Sequence, residues 1–219
     1  MLPTLGPTTA QLRLLPDILG KADPELWKHV VSIEPFYALA GTLTMYAHNI
    51  EAYNEISRLF DVLLAREPVF SIYMFAQIVV DRREEIFEVD EPDLLQVVLS
   101  RVPPKMNLDG LISRSVDLFD RFPPETLRSW RRISSASALK TAHDVQLAAH
   151  QTMEEGEQYF EKQAKELKWI ELQDRIKMTI WAYRRPAKSI GLAIAVGLAA
   201  YYVRRNPHLV HYIMSFFNR

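Results

Sequence analysis

Pro68-Val69-Phe70-Ser71-Ile72-Tyr73-Met74-Phe75-Ala76-Gln77-Ile78-Val79-Val80 is an almost unbroken apolar run, and how it folds decides the class of the whole chain. Periodicity alone does not separate a buried strand from a buried helix in such a run. Length does, because strands usually end after about 5–6 residues. The run therefore reads as a helix that is apolar on all sides, which other elements must surround.

The flanking sequence supplies those elements. From Asn49 to Arg66, Ile56, Leu59, Phe60, Leu63 and Leu64 recur at spacings of three and four, with Glu51, Glu55, Arg58 and Asp61 beside or opposite them. That is one buried helical stripe. Asp23-Pro24-Glu25 and Glu91-Pro92-Asp93 each place Pro after a short polar or acidic residue, which marks helix starts. Leu94, Leu95, Val98 and Leu99 continue the second at helical spacing. Asp109-Gly110 invites a hairpin turn, but Leu111, Ile112, Val116, Leu118 and Phe119 follow closer to helical spacing. Residues 8–133 thus read as seven or eight helices, all-α.

Charge and proline usage divide the chain. Residues 1–133 hold 14 basic and 19 acidic side chains, whereas 134–219 hold 12 and 8, and no acid follows Asp174. The overall net charge of −1 gives no reason to expect nucleic-acid binding. The 13 prolines all precede residue 125 except Pro186 and Pro207, so residues 125–185 permit long helix. Ser134-Ser135-Ala136-Ser137-Ala138 marks the boundary as a linker or a weak helix start. The expected organisation is a helical domain at 1–133, a helical linker at 134–185 and a C-terminal segment at 186–219. The linker shows no sustained heptad, which disfavours a coiled coil.

Ser189 to Val203 carries no charge and is flanked by Arg184, Arg185 and Lys188 before it and Arg204 and Arg205 after it. At ~1.5 Å per residue it reaches about 22 Å, short of the roughly 27 Å of a thin bilayer. Snorkelling cations extend that reach, and Tyr201 and Tyr202 stand where interfacial aromatics are expected. A buried core helix is the competing reading. The cations around it, unanswered by any acid, favour a membrane anchor built from Ile190, Leu192, Ile194, Val196, Leu198, Tyr201, Tyr202 and Val203, with a lipid bilayer as partner. Five cations between Arg175 and Lys188, against three beyond, leave residues 1–188 cytosolic. Leu209 to Phe217 is too short to span and reads as interfacial.

Residues for chemistry are sparse. Zero Cys excludes thiolate metal sites, disulfides and cysteine nucleophiles, and the seven Gly never cluster into a phosphate loop. His208 and His211, three apart, read as interfacial polar residues, and His143 and His150, seven apart, as one helix face. The acids Glu84, Glu85, Glu88, Asp90, Glu91 and Asp93 read as a solvated face beside Arg82 and Arg83. No catalytic, cofactor-binding or metal-binding residue is assigned.

Phe36 through His48, then Arg58-Leu59-Phe60-Asp61-Val62-Leu63-Leu64-Ala65, then Pro68 through Arg83 resemble the C-terminal half of a TBC domain. Leu111-Ile112-Ser113-Arg114, Asp117-Leu118-Phe119 and Phe122-Pro123-Pro124 follow in the same order. Phe36, Arg58, Phe60 and Asp61 are family-matching positions of structural character. The likeness covers about residues 1–130 and is nearest to the tail-anchored endoplasmic reticulum type. It implies an all-helical activator of Rab GTPases in traffic from endoplasmic reticulum to Golgi, membrane-bound, with a Rab protein as partner. It also implies an arginine finger in an Ile-x-x-Asp-x-x-Arg motif and a glutamine finger in a Tyr-x-Gln motif, both in the N-terminal half of the domain. Neither motif occurs in the 219 residues: Ile78-Val79-Val80-Asp81-Arg82-Arg83-Glu84 puts Glu at the finger position. The resemblance therefore implies a truncated, catalytically incomplete activator, a short product or an incomplete gene model. A membrane-tethered adaptor that binds a Rab without accelerating hydrolysis is the alternative.

Overall fold

The apolar run at residues 68–80 folds as a helix, Phe70–Asp81, in which every residue from Phe70 to Val79 except Ser71 is buried. In this computed structural model, which describes residues 5–103 and 105–205, it is the sixth of twelve α-helices. In order these are α1 (Gly6–Leu12), α2 (Leu14–Ala22), α3 (Pro24–Val30), α4 (Leu39–Leu43), α5 (Tyr53–Ala65), α6 (Phe70–Asp81), α7 (Arg83–Phe87), α8 (Pro92–Ser100), α9 (Leu108–Arg121), α10 (Ala138–Thr141), α11 (Val145–His150) and α12 (Met153–Arg205). Short 3-10 turns lie at Pro35–Ala38, Pro124–Thr126 and Ser129–Arg132, and no strand occurs among the described residues. Within α12 the side chains at 171, 174, 177–195, 199 and 203 lie outside the description.

Two compact units divide the chain, Met1–Leu167 and Lys168–Arg219. In the first, α6 packs against α9, α2 and α4, and α2 packs against α3. Leu14, Leu15, Ile18 and Leu19 give α2 its buried side, while α9 buries Leu108, Leu111, Ile112, Ser115 and Leu118. A helix with no polar face is stable only when covered on all sides. Local signals set the helix starts: Asp23 accepts from the Leu26 amide at 3.0 Å and Asn107 from the Gly110 amide at 3.0 Å, each satisfying an otherwise unpaired first-turn donor.

Among the described residues nine α-helices precede residue 133, where spacing predicted seven or eight. The chain breaks at Arg13 between α1 and α2, and α4 and α7 are five residues each, too short for a periodic signature. The helix expected from Asn49 begins at Tyr53, after the extended Ala52, and upstream of it Met45 and Tyr46 take left-handed backbone angles, φ 49° and 62°. The linker also differs from its expected form. Ile133, Ala136, Ser137 and Leu139 are buried, and the long helix starts at Met153 after α10 and α11. Its start is a capping box: the Glu155 amide donates to Thr152 Oγ1 at 3.2 Å and the Thr152 amide to Glu155 Oε2 at 3.0 Å.

The second unit is described by the remainder of α12. Among the described residues no helix is long and apolar enough to cross a membrane. Of the expected anchor, Val196, Leu198, Tyr201 and Tyr202 are exposed, whereas the side chains of Ile190, Leu192, Ile194 and Val203 lie outside the description. So do those of Arg184, Arg185 and Lys188, and so does everything from Asn206 to Arg219, including His208, His211 and Leu209–Phe217.

Candidate functional site

The segments that carry the family resemblance converge on α6. Tyr37 and Tyr46, from the Phe36–His48 stretch, lie against Phe75 with ring centroids 6.1 and 6.5 Å away. Phe119 of α9 meets Phe70 and Tyr73 edge-on at 6.0 and 4.9 Å. Of the three buried tyrosines, Tyr46 donates its hydroxyl to the Ser71 carbonyl at 2.5 Å and Tyr73 to the Phe122 carbonyl at 2.6 Å. Burial pushes both phenols far above their ordinary range, so each is a neutral donor. A Cβ at Gly41 would stand 3.2 Å from the Phe75 ring, so glycine sets how closely α4 approaches α6.

Polar groups cluster at the C-terminal end of α6. Asp81 accepts from Arg114 through both carboxylate oxygens and from Gln77 Nε2 at 2.7 Å. Arg82 is buried, donating to both oxygens of Glu85 and to the Arg101 carbonyl. Arg83 reaches back to α3, pairing with Asp23 at 2.8 Å and with Glu25, and its guanidinium lies over the Phe87 ring at 4.6 Å. His29 Nε2 donates between the Val89 and Ile86 carbonyls, at 2.9 and 3.2 Å. Partial burial of the Asp23 carboxyl raises its pKa, but the Leu26 amide and Arg83 outweigh that and hold it below the ordinary 3.8. Arg82 lowers Glu85 likewise.

This cluster answers two readings from the sequence. The near-miss motif Ile78–Glu84 places Asp81, Arg82 and Arg83 in structural ion pairs, so its guanidiniums are spoken for. The acidic run is exposed throughout, as a solvated face would be; of the two arginines beside it, Arg82 pairs with Glu85 and Arg83 turns to Asp23 and Glu25. Among the described residues no three His, Cys, Asp or Glu side chains gather as metal ligands. His143 lies ahead of α11 with Nδ1 3.0 Å from the Lys140 carbonyl, whereas His150 ends α11, so the two do not share a helix face. That expectation fails because Asp144 caps a new helix between them, accepting from the Gln146 amide at 2.8 Å.

The family-matching positions fall at the surface of this region. Arg58 extends from α5 to Asp109 of α9, Nε to Oδ1 3.4 Å, both exposed. Asp61 is exposed, Phe60 partly buried, and Phe36 half-exposed in the 3-10 turn.

Two adjoining clefts open where residues 138–148 cross α5 and the start of α6, sharing Arg66 and Val145. One, of about 580 Å³, holds Glu67, His143 and Asp144 beside Phe70 and Phe119. There burial, and then the charge of Glu125, raise the Glu67 carboxyl. The other, of about 540 Å³, is lined by apolar side chains including Leu43, Met45, Leu64 and Leu139. Nothing in the sequence pointed to these clefts, because segments some seventy residues apart form them. The arrangement presents surfaces for binding and holds Arg82, Arg83 and Arg114 in internal pairs.

No family model matches the chain. It is similar to the GTPase-activating protein gyp10 of Schizosaccharomyces pombe, 31% identical over 151 residues, which are 66% of this chain and 40% of that protein. It is also similar to TBC1 domain family member 20 of Homo sapiens and of Mus musculus, each 33% identical over 156 residues and 68% of this chain, covering 38% and 39% of those proteins. The chain thus spans about two fifths of the length of the curated relatives it matches.

Proposed function

We propose that this chain carries the C-terminal half of a TBC-type domain of a Rab GTPase activator and that it engages a Rab protein without supplying the reacting side chains. The observation that carries this reading is 31–33% identity, over about two thirds of the chain, to a protein named as a GTPase activator and to others named for the TBC domain. The all-helical first unit supports it, because the resembling segments pack around one helix as parts of a single core.

Catalysis of phosphoryl transfer by such proteins rests on positioning and electrostatics, an arginine finger contributing ~10³–10⁵ in rate. Neither finger motif occurs in the 219 residues, and Arg82, Arg83 and Arg114 are paired within the fold. The chain on its own is therefore expected to bind and not to accelerate. GTP hydrolysis by a panel of purified Rab proteins with the full chain tests this directly. A stimulation approaching ~10³ overturns the claim that the reacting groups are missing. Association with no Rab in any nucleotide state overturns the Rab reading itself.

The same proposal places the chain on an endoplasmic reticulum membrane through Ser189–Val203, with residues 1–188 in the cytosol, acting in traffic towards the Golgi. Its support is the uncharged stretch and the eight basic, acid-free residues after Asp174. Removing residues 186–219 is expected to release the protein into the soluble fraction of a cell homogenate washed in ~1 M salt, which screens surface charge. Retention on membranes would remove the anchor from the proposal.

A further inference from the structure

The second unit opens with a stretch that carries an exposed apolar stripe, with Ile170 exposed beside it. Trp169, Leu172 and Ile176 are 60%, 47% and 50% exposed. They stand three and four apart, which at about 100° per residue makes one stripe about 60° wide. Ile180 and Tyr183 continue that register in the sequence. Lys168 and Arg175 flank the stripe on one side and Lys177 on the other, by register, whereas positions Glu171 and Asp174, the last acids of the chain, fall on the far side. An apolar stripe turned to water and edged by cations gains by being covered, and its complement is an anionic surface. Trp169 and Tyr183 are the residue types that settle at headgroup level, whereas Trp181 falls outside the stripe by register.

We propose that residues 168–185 lie flat in the interface of an anionic bilayer, the Trp169–Leu172–Ile176 stripe in the acyl boundary and the flanking cations among the lipid phosphates. The inference rests on the membrane reading above and adds a second, charge-selective contact to it. It also gives Pro186 a role. Proline removes the hydrogen bond to the carbonyl four residues back and crowds it, so the helix is weakest where a surface segment must turn to enter the bilayer.

The absence of cysteine makes the test position-specific, since one introduced thiol reports its own surroundings. The full chain bearing Leu172→Cys, labelled with an environment-sensitive fluorophore, is added to phosphatidylcholine vesicles with and without phosphatidylserine. Glu171→Cys serves as the far-side control. The label at 172 is expected to shift to the blue on phosphatidylserine vesicles alone and to shift back in ~1 M salt, where the screening length falls to about 3 Å. The label at 171 is expected to keep its aqueous spectrum, and Lys168→Gln to lower the salt concentration that releases the label at 172. A 172 label that stays aqueous while the chain floats with both vesicles overturns the surface helix and leaves the anchor standing. A chain that floats with neither overturns the anchor reading. A 172 label already shielded without vesicles assigns the stripe to a protein face and overturns the proposal.

Discussion

Asp81 and Arg114 are joined through both carboxylate oxygens, Arg114 Nε donating to Oδ1 at 3.1 Å and Nη2 to Oδ2 at 2.6 Å, which ties α9 to the last turn of α6. The pair is asymmetric in what depends on it. Gln77 is 7% exposed and donates its amide nitrogen to the same Asp81 Oδ1.

Loss of Asp81 therefore costs more than loss of its partner. Arg114→Ala removes a half-exposed cation and is expected to cost at most about 1 kcal/mol. Asp81→Ala also leaves the buried Gln77 nitrogen unpaired, at about 1–3 kcal/mol. Urea unfolding followed by helical circular dichroism measures the order of the two, and equal losses would show that Gln77 finds another acceptor.

Acid is expected to loosen the α3–α7 contact. The folded-state pKa of Asp23 lies below its ordinary 3.8, so the stabilisation it gives is present above that value and is lost as pH falls through the folded value. Glu85 acts in the same direction. Stability measured from pH 6 downward should fall below about pH 4. Asp23→Asn, which keeps the cap on Leu26 but not the charge opposite Arg83, should flatten that fall. An unchanged acid limb in this variant would show that Asp23 is not its source.

Helix α6 was legible because the length of its apolar run excluded a strand, and α9 because the spacing after Asp109 outweighed a turn signal. The pairing of His29 with the Ile86 and Val89 carbonyls was not, since it joins residues 57 and 60 apart and leaves no periodic trace. The stretch Ser134–Ala138 left two readings open, a linker or a weak helix start, and the short helix α10 begins at its end with Ser137 at the cap. Small residues mark flexible linkers, but they also allow close approach, and here Ala136 and Ser137 are buried. Thr152-Met153-Glu154-Glu155 did hold a readable capping box, which the uniform Ala, Glu, Gln, Lys and Leu composition around it obscured.

Met45 sits at φ 49° with its side chain 46% exposed. A left-handed backbone costs a side-chain-bearing residue about 1–2 kcal/mol, and glycine gives back roughly 0.5–1 kcal/mol of that in the unfolded chain. Met45→Gly is expected to stabilise the first unit by about 0.5–1 kcal/mol. Tyr46, at φ 62° but buried with its hydroxyl on Ser71, should behave oppositely: Tyr46→Gly is expected to cost more than about 3 kcal/mol. Thermal unfolding of the two variants separates backbone strain from packing.

Leu139 tests whether the packed core continues past residue 133. It is buried in α10, beside Thr8, Leu12 and Ile72 of the earlier helices, and the next residue, Lys140, donates to the Ile133 carbonyl at 2.7 Å while lying 5.3 Å over the Trp130 ring. If this segment is part of the core, Leu139→Ala opens a cavity against α1 and α6 and costs about 2–5 kcal/mol. Leu147, eight residues on and half-exposed in α11, lacks that burial, and Leu147→Ala is expected to stay within about 0.5 kcal/mol. Limited proteolysis gives an independent reading, because a linker is cut readily in the native state and a docked segment is cut only when it opens. Rapid cleavage between residues 134 and 142 in the unaltered chain, with no stability change in Leu139→Ala, would return the boundary to residue 133. Protection there, lost in the variant, would show that the core extends to α10.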